Sequence, residues 1–392
     1  MSTYPDASSR SAKLFERAKQ VFPDGSTRRT VTFDPYPLYA ISGRGCMVTD
    51  ADGVERIDFI NNYSSMIHGH SHPKIVAVLA EQAGKLMAVG MPTESDIELA
   101  ELLVRRLPTV EHLQFCNSGT EAVMLAVKAA RAYTDRPKVA RVEGAYHGAY
   151  DFDAVMLPCN DVDRALGVLE AHKAELAGAI FDPIIGRLGF AELTPEFIRA
   201  LRDWTRKNNK LLIMDEVFSF RVDYHGAQAR YKVEADLTAL GKIIGGGIPI
   251  GALGGRKEVM SVFGDGSAHP KLHHHGTYNA NPLAMRAGKV SMELLTADEI
   301  ARINGLGERL KAGIGNILKD ADAPAKAQGV GSMVAIAPIN TPFTDRVHRE
   351  MLNRGVLMMA RGAFVISTPM REAEIDRTIA ALAESLQTVP VR

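Results

Sequence analysis

The chain has 392 residues, 46% of them hydrophobic and 23% charged, and 46 basic residues balance 46 acidic ones for a formal net charge of zero. This is an ordinary globular composition, long enough for one large domain or two of medium size. Charge neutrality and the lack of any apolar run approaching about 18 residues argue against a nucleic-acid footprint, a membrane-surface footprint and a membrane-crossing helix.

The opening Met1-Ser2-Thr3-Tyr4-Pro5-Asp6 leads into no apolar signal-peptide core. Cys46, Cys116 and Cys159 are far apart and form no Cys-x-x-Cys pair. The expected location is therefore the reducing cytoplasm. Histidines cluster at His68, His70 and His72 and again at His273, His274 and His275, but without evident Asp, Glu or Cys ligands beside them, so no metal site is expected.

In chain order, Ser9–Val21 has helical spacing, with Leu14, Ala18 and Val21 on one face. Tyr39–Asp50 reads as a small hairpin, with a turn at Asp52-Gly53 before a further strand. From about Pro73 helix and strand alternate. Apolar strands are expected at 113–116, 139–142, 178–182, 211–214, 237–240 and 250–254, separated by helical stretches such as 196–208. Buried runs alternating with helices predict a mainly parallel sheet with helices on both faces. After Pro282 the character shifts. One long helix is expected from Leu283 towards Ala321, then short strands at 332–337 and 364–367, and a helix at 371–387. The resulting division is 1–60, a segment packing with the small domain; 61–281, a large domain; and 282–392, a small α/β domain.

The chemistry concentrates at strand ends, where open α/β sheets bind ligands. Leu211-Leu212-Ile213-Met214 delivers Asp215, followed by Glu216 and Val217. Lys242 stands between the strand ending at Leu240-Gly241 and the run Gly245-Gly246-Gly247. A lysine among glycines can approach a flat ring closely, and an acid on a neighbouring strand can sit beside it. Pyridoxal phosphate needs that pair: an amine for its aldehyde and an anion for its pyridine nitrogen. Its phosphate needs backbone N–H groups at a helix N-terminus. Asn117-Ser118-Gly119-Thr120-Glu121 opens a helix after a short strand, with two hydroxyls and a glycine that permits close approach. Tyr146, in Gly144-Ala145-Tyr146-His147-Gly148, can stack on a ring face. Thr277, in Gly276-Thr277-Tyr278-Asn279, can bind phosphate. Each segment also has a plain structural reading: an ordinary N-cap, a loop tyrosine that packs locally, and a turn before the helix at Pro282.

In this order the segments resemble the class III aminotransferases of the fold-type I pyridoxal phosphate enzymes, over about Phe22 to Thr368. Phe22-Pro23-Asp24-Gly25-Ser26-Thr27-Arg28 and His68-Gly69-His70-Ser71-His72-Pro73 resemble the branch holding glutamate-1-semialdehyde aminomutase and the β-phenylalanine aminotransferases. The resemblance implies a large domain with a seven-stranded, mainly parallel sheet and a smaller α/β domain. It implies a Schiff base at Lys242, Asp215 on the pyridine nitrogen, Val217 and Tyr146 on opposite ring faces, and Ser118, Gly119 and Thr120 on the phosphate. Thr277 would come from a neighbouring subunit, so a homodimer with shared active sites is implied. Arg28 and Arg361 match arginines that bind substrate carboxylates, and Tyr63 and Met66 would line the apolar side. The implied reaction moves an amino group from an amino acid, a β-amino acid in this branch, to a 2-oxo acid. The alternatives are a glutamate-semialdehyde-type aminomutase or a racemase on the same cofactor, and a non-catalytic protein that keeps the fold for binding. One departure stands out. The family's Glu-Pro, with a Gln two residues after the Pro, is here Asp182-Pro183-Ile184-Ile185-Gly186-Arg187.

Overall fold

A computed structural model describes residues 4–264, 266 and 269–389. It divides into two compact units. The first takes the described residues of Met1–Tyr63, Ile67–His72 and Gly305–Arg392; the second takes Ser64–Met66 and Pro73–Asn304.

The second unit is built on a seven-stranded sheet. Its strands lie in the order His112–Cys116, Gly251–Gly255, Leu237–Gly241, Leu211–Asp215, Leu176–Phe181, Lys138–Val142, Ala154–Leu157. Gly251–Gly255 runs antiparallel to both neighbours, and the other pairings are parallel. The central strands are buried end to end, as their unbroken apolar runs require. The helix Gly119–Thr134 presents Ala122, Leu125, Ala126 and Ala129 to Val139, Ile180, Ile213 and Leu237 in one core. Its small residues let it lie close to the sheet, while each buried leucine or isoleucine adds roughly 1.5–3 kcal/mol.

The first unit joins the two ends of the chain. Glu55–Asp58 pairs antiparallel with Met47–Asp50 and parallel with Val356–Leu357. Buried Arg56 ties this sheet together, donating to the Leu352 carbonyl at 3.0 Å and pairing with Asp50. A three-stranded sheet, Lys326–Val330, Met333–Ala337, Ala363–Val365, completes the unit with the helices Pro342–Asn353 and Glu372–Thr388.

Two expectations need correction, and other elements escaped the sequence. The first helix covers only Arg10–Ala18, and Val21 is 71% exposed beyond its end. The helix expected from Leu283 towards Ala321 is two, Pro282–Leu294 and Ala297–Asp320. Thr296 breaks it by capping the second, accepting from Glu299 N at 3.2 Å. The edge strand Ala154–Leu157 and the strand Lys326–Val330 were not anticipated. Nor was the helix Pro342–Asn353, which Thr341 caps. No described helix is long and apolar enough to cross a membrane.

Candidate active site

The strands of the second unit bring their carboxyl ends together. Asp215 ends one central strand and Lys242 follows the next. These strands pair with Asp215 opposite Ala239, which sets the two functional residues at one edge of the sheet. Lys242 has φ 51°, a left-handed conformation that a non-glycine residue adopts at a cost and that points to a constrained site.

The glycines show how closely the segments meet. A Cβ on Gly119 would lie 2.6 Å from Val217 Cγ1. A Cβ on Gly241, next to Lys242, would lie 3.3 Å from the same Val217 atom and 3.4 Å from Gly119 Cα. A Cβ on Gly148 would fall 2.8 Å from Thr120 Cα, and Ala149 N donates to Thr120 Oγ1 at 3.2 Å. The Ser118-Gly119-Thr120 turn, the Tyr146 loop, Val217 and Lys242 therefore form one cluster. Ser118 caps the helix, accepting from Glu121 N at 3.1 Å, and Gly119 and Thr120 carry the remaining first-turn N–H groups, which could hold an anion.

Asp215 is buried and held on both oxygens. Val217 N donates to one at 3.0 Å. His147 Nδ1 stands 2.9 Å from the other. His147 is itself buried, and its Nε2 has no partner among the described residues. Lys242 Nζ lies 5.1 Å from the centre of the Phe218 ring. Burial lowers its proton affinity below the usual 10.5, opposed by the charges of Asp215 and Asp182. Burial raises the Asp182 carboxyl well above the usual carboxylate range, and the Asp215 charge raises it further. Glu216 points away from the cluster. It accepts from Ala227 N at 2.6 Å, from Gln228 N at 3.2 Å and from Gln228 Nε2 at 3.0 Å, and burial pushes its pKa up to about 7.

The donor set fits pyridoxal phosphate: a lysine amine biased towards its neutral form, a fixed carboxylate, and a helix N-terminus that a glycine keeps open. Of the residues expected here, Ser118, Gly119, Thr120, Asp215, Val217 and Lys242 come together. Tyr146, 46% exposed, sits in the loop seated on Thr120. Met66 also lies in this unit, against the glycine run, where a Cβ on Gly247 would be 3.0 Å from its Sδ. Arg28, Tyr63 and Arg361 belong to the first unit. There the Arg28 guanidinium lies 5.7 Å from the Tyr63 ring centre, and the Tyr63 hydroxyl donates to the Thr30 carbonyl. Thr277 is exposed in a turn whose Asn279 accepts from Asn117 Nδ2 of the same chain at 2.9 Å.

Sequence reasoning missed His147 and Phe218. His147 adjoins Tyr146, but only the fold reveals that it faces Asp215. Phe218 follows Val217 directly and carries no signal of its own.

The sequence matches the family Aminotransferase class-III over residues 30–161 and 151–386. The chain is 35% identical to glutamate-1-semialdehyde 2,1-aminomutase 1 of Listeria welshimeri, over 97% of this chain and 99% of that protein. An omega-transaminase from Sphaerobacter thermophilus superposes with a TM-score of 0.95 at 42% identity, covering 98% of each chain. A β-phenylalanine aminotransferase from Variovorax paradoxus superposes at 0.93 with 31% identity, covering 96% of this chain and 94% of that one. With this match, fold and cluster of residues agree: the chain belongs to the class III aminotransferases, the fold-type I pyridoxal phosphate enzymes.

Proposed function

We propose that the chain is a pyridoxal-phosphate aminotransferase that moves an amino group from an amino acid, with β-amino acids among the candidates, to a 2-oxo acid. The observation that carries this reading is the buried Lys242 amine, its proton affinity lowered by burial, at the same strand ends as an Asp215 carboxylate held by His147 and Val217 N. A neutral amine can attack a carbonyl and, once freed, take up and return a proton. When bound, pyridoxal phosphate supplies an aldehyde carbon and a ring that stabilises negative charge on the substrate carbon. Asp215 would hold a proton at the pyridine nitrogen, which would keep that ring electron-poor. Ser118, Gly119 and Thr120 would hold the phosphate, and Val217 and Tyr146 would cover the ring faces. Arg28 and Arg361 are assigned to substrate carboxylates, with Tyr63 and Met66 as apolar lining. The working form is a homodimer in the cytoplasm, with Thr277 serving the partner's phosphate.

The similarity to the omega-transaminase and the β-phenylalanine aminotransferase supports a transaminase. The 35% identity to an aminomutase supports a second reading, intramolecular transfer on a semialdehyde substrate. Two experiments test the site and the choice. Borohydride reduction followed by peptide mapping should leave the cofactor on Lys242; attachment to any other lysine overturns the assignment. A panel of amino donors, with and without 2-oxoglutarate or pyruvate, should yield turnover only with an acceptor present. Turnover of glutamate-1-semialdehyde without any acceptor would establish the aminomutase instead.

A further inference from the structure

The hairpin Ile184–Glu192 carries the departure from the family's Glu-Pro-x-Gln pattern, and it reaches the Lys242 cluster at two points. Where its loop rejoins the second strand, buried Phe190 stacks on Phe218 with ring centres 5.5 Å apart, and Phe218 is the ring next to Lys242 Nζ. At its tip, the Arg187 guanidinium lies 4.5 Å from the centre of the Tyr146 ring. Leu188 fixes the tip on the Tyr146 loop, since a Cβ on Gly144 would come within 3.0 Å of Leu188 Cδ1. Ile185, where the family has a hydrogen-bonding Gln, is fully buried and offers nothing to a ligand.

Arg187 is exposed and pairs with no carboxylate among the described residues. A guanidinium against an aromatic ring gives the ring its face and keeps its N–H donors in its own plane. That fork matches a carboxylate in a two-pronged contact. Both substrates of the proposed reaction, an amino acid and a 2-oxo acid, carry one. We propose that Arg187 is a specificity-determining residue that binds a carboxylate of the substrate. This rests on the aminotransferase reading of the Lys242 site. The carboxylate is either the one at the reacting end or the distal one of a diacid such as 2-oxoglutarate.

The test uses the holoenzyme and two unreactive acids, 3-phenylpropionate and glutarate, titrated calorimetrically into wild type, Arg187→Ala and Arg187→Lys. The expected result is a tenfold or greater rise in Kd in Arg187→Ala, with Arg187→Lys recovering only part of it. A rise for 3-phenylpropionate assigns Arg187 to the reacting-end carboxylate. A rise confined to glutarate assigns it to the distal one, and the ratio of kcat/KM for 2-oxoglutarate over pyruvate should then fall by a similar factor. Affinities within twofold of wild type for both acids overturn the proposal. Borohydride labelling of wild-type Lys242 is read first: its absence overturns the reading of the site, whereas labelling with unchanged affinities overturns the role of Arg187 alone.

Discussion

Lys242 stands in a setting that lowers its proton affinity, Asp215 in one that fixes its carboxylate by hydrogen bonds, and mutation separates the two. Asp215→Asn keeps the shape but removes the anion. Turnover should fall by two orders of magnitude or more, about 3 kcal/mol of transition-state stabilisation, with the fold intact by circular dichroism. A loss of only a few-fold would reduce Asp215 to a strand-end acid. His147 acts through Asp215, so His147→Phe should cost less, about 1.5–3 kcal/mol for a hydrogen bond to a charged group. It should also shift the pH profile of the bound cofactor's absorbance; a rate loss with an unmoved profile would make His147 a packing residue only. Lys242 supplies the pH test. Its folded pKa lies below 10.5, so below that folded value the native state holds a desolvated ammonium at a cost. The unfolded chain binds that proton up to 10.5, so this cost fades as pH rises between the two values. Lys242→Met should therefore raise the Tm of the cofactor-free protein at neutral pH, with the gain shrinking towards pH 10. A gain that does not change with pH would show that charge is not its source. Asp215 and Lys242 were legible in the sequence because each follows an apolar strand. Arg187 was written in the sequence too, but its place on Tyr146 was not, since a loop arginine has no periodicity to betray its neighbour.

At the scale of elements, buried strands were the most legible because their apolar runs are continuous and bounded. The strand Leu176–Phe181 and the helix Pro195–Lys207 lie within two residues of expectation. Elements with weak patterns escaped. Ala154–Leu157 pairs on one side only, so it needs no continuous apolar run. The break at Thr296 was encoded in Thr296-Ala297-Asp298-Glu299, a capping box hidden inside an otherwise helical period. Glu216 shows why a short motif can mix roles. It neighbours Asp215 but serves the helix Gly226–Tyr231, accepting two backbone N–H groups at its start. Glu216→Ala leaves these donors buried without an acceptor and should cost about 1–3 kcal/mol in chemical denaturation at neutral pH. Because burial raises the folded pKa to about 7, the ionised form is the disfavoured one in the native state. Wild type should thus lose stability as pH rises from 4.5 through 7, and the mutant should not share that loss. Parallel pH curves would assign the titration to another group.

At the scale of the molecule, the first unit brings together residues too far apart for local pattern to connect: Arg56 donates to a carbonyl 296 positions away. Local periodicity cannot encode such pairings, so the sequence indicated a strand after Asp52-Gly53 and an N-terminal segment packing with the small domain, but not the strand Val356–Leu357 that pairs with it. The same limit applies to assembly. The family resemblance sends Thr277 to the partner's phosphate, yet the turn that carries it is tied through Asn279 to Asn117, beside the chain's own Ser118-Gly119-Thr120 turn. Complementation distinguishes the two arrangements. Lys242→Ala and Thr277→Trp should each be inactive alone. If Thr277 serves the partner, a mixed dimer holds one site with an intact Lys242 from one chain and an intact Thr277 from the other. Random exchange in a two-fold dimer should then restore about a quarter of the wild-type sites, because half the dimers are mixed and each has one intact site of two. If Thr277 serves its own chain, every site in the mixture lacks one residue or the other and activity stays at zero. Exchange must be verified independently, for example by mass spectrometry of differently tagged chains. Verified exchange without recovery would place the phosphate site within one subunit.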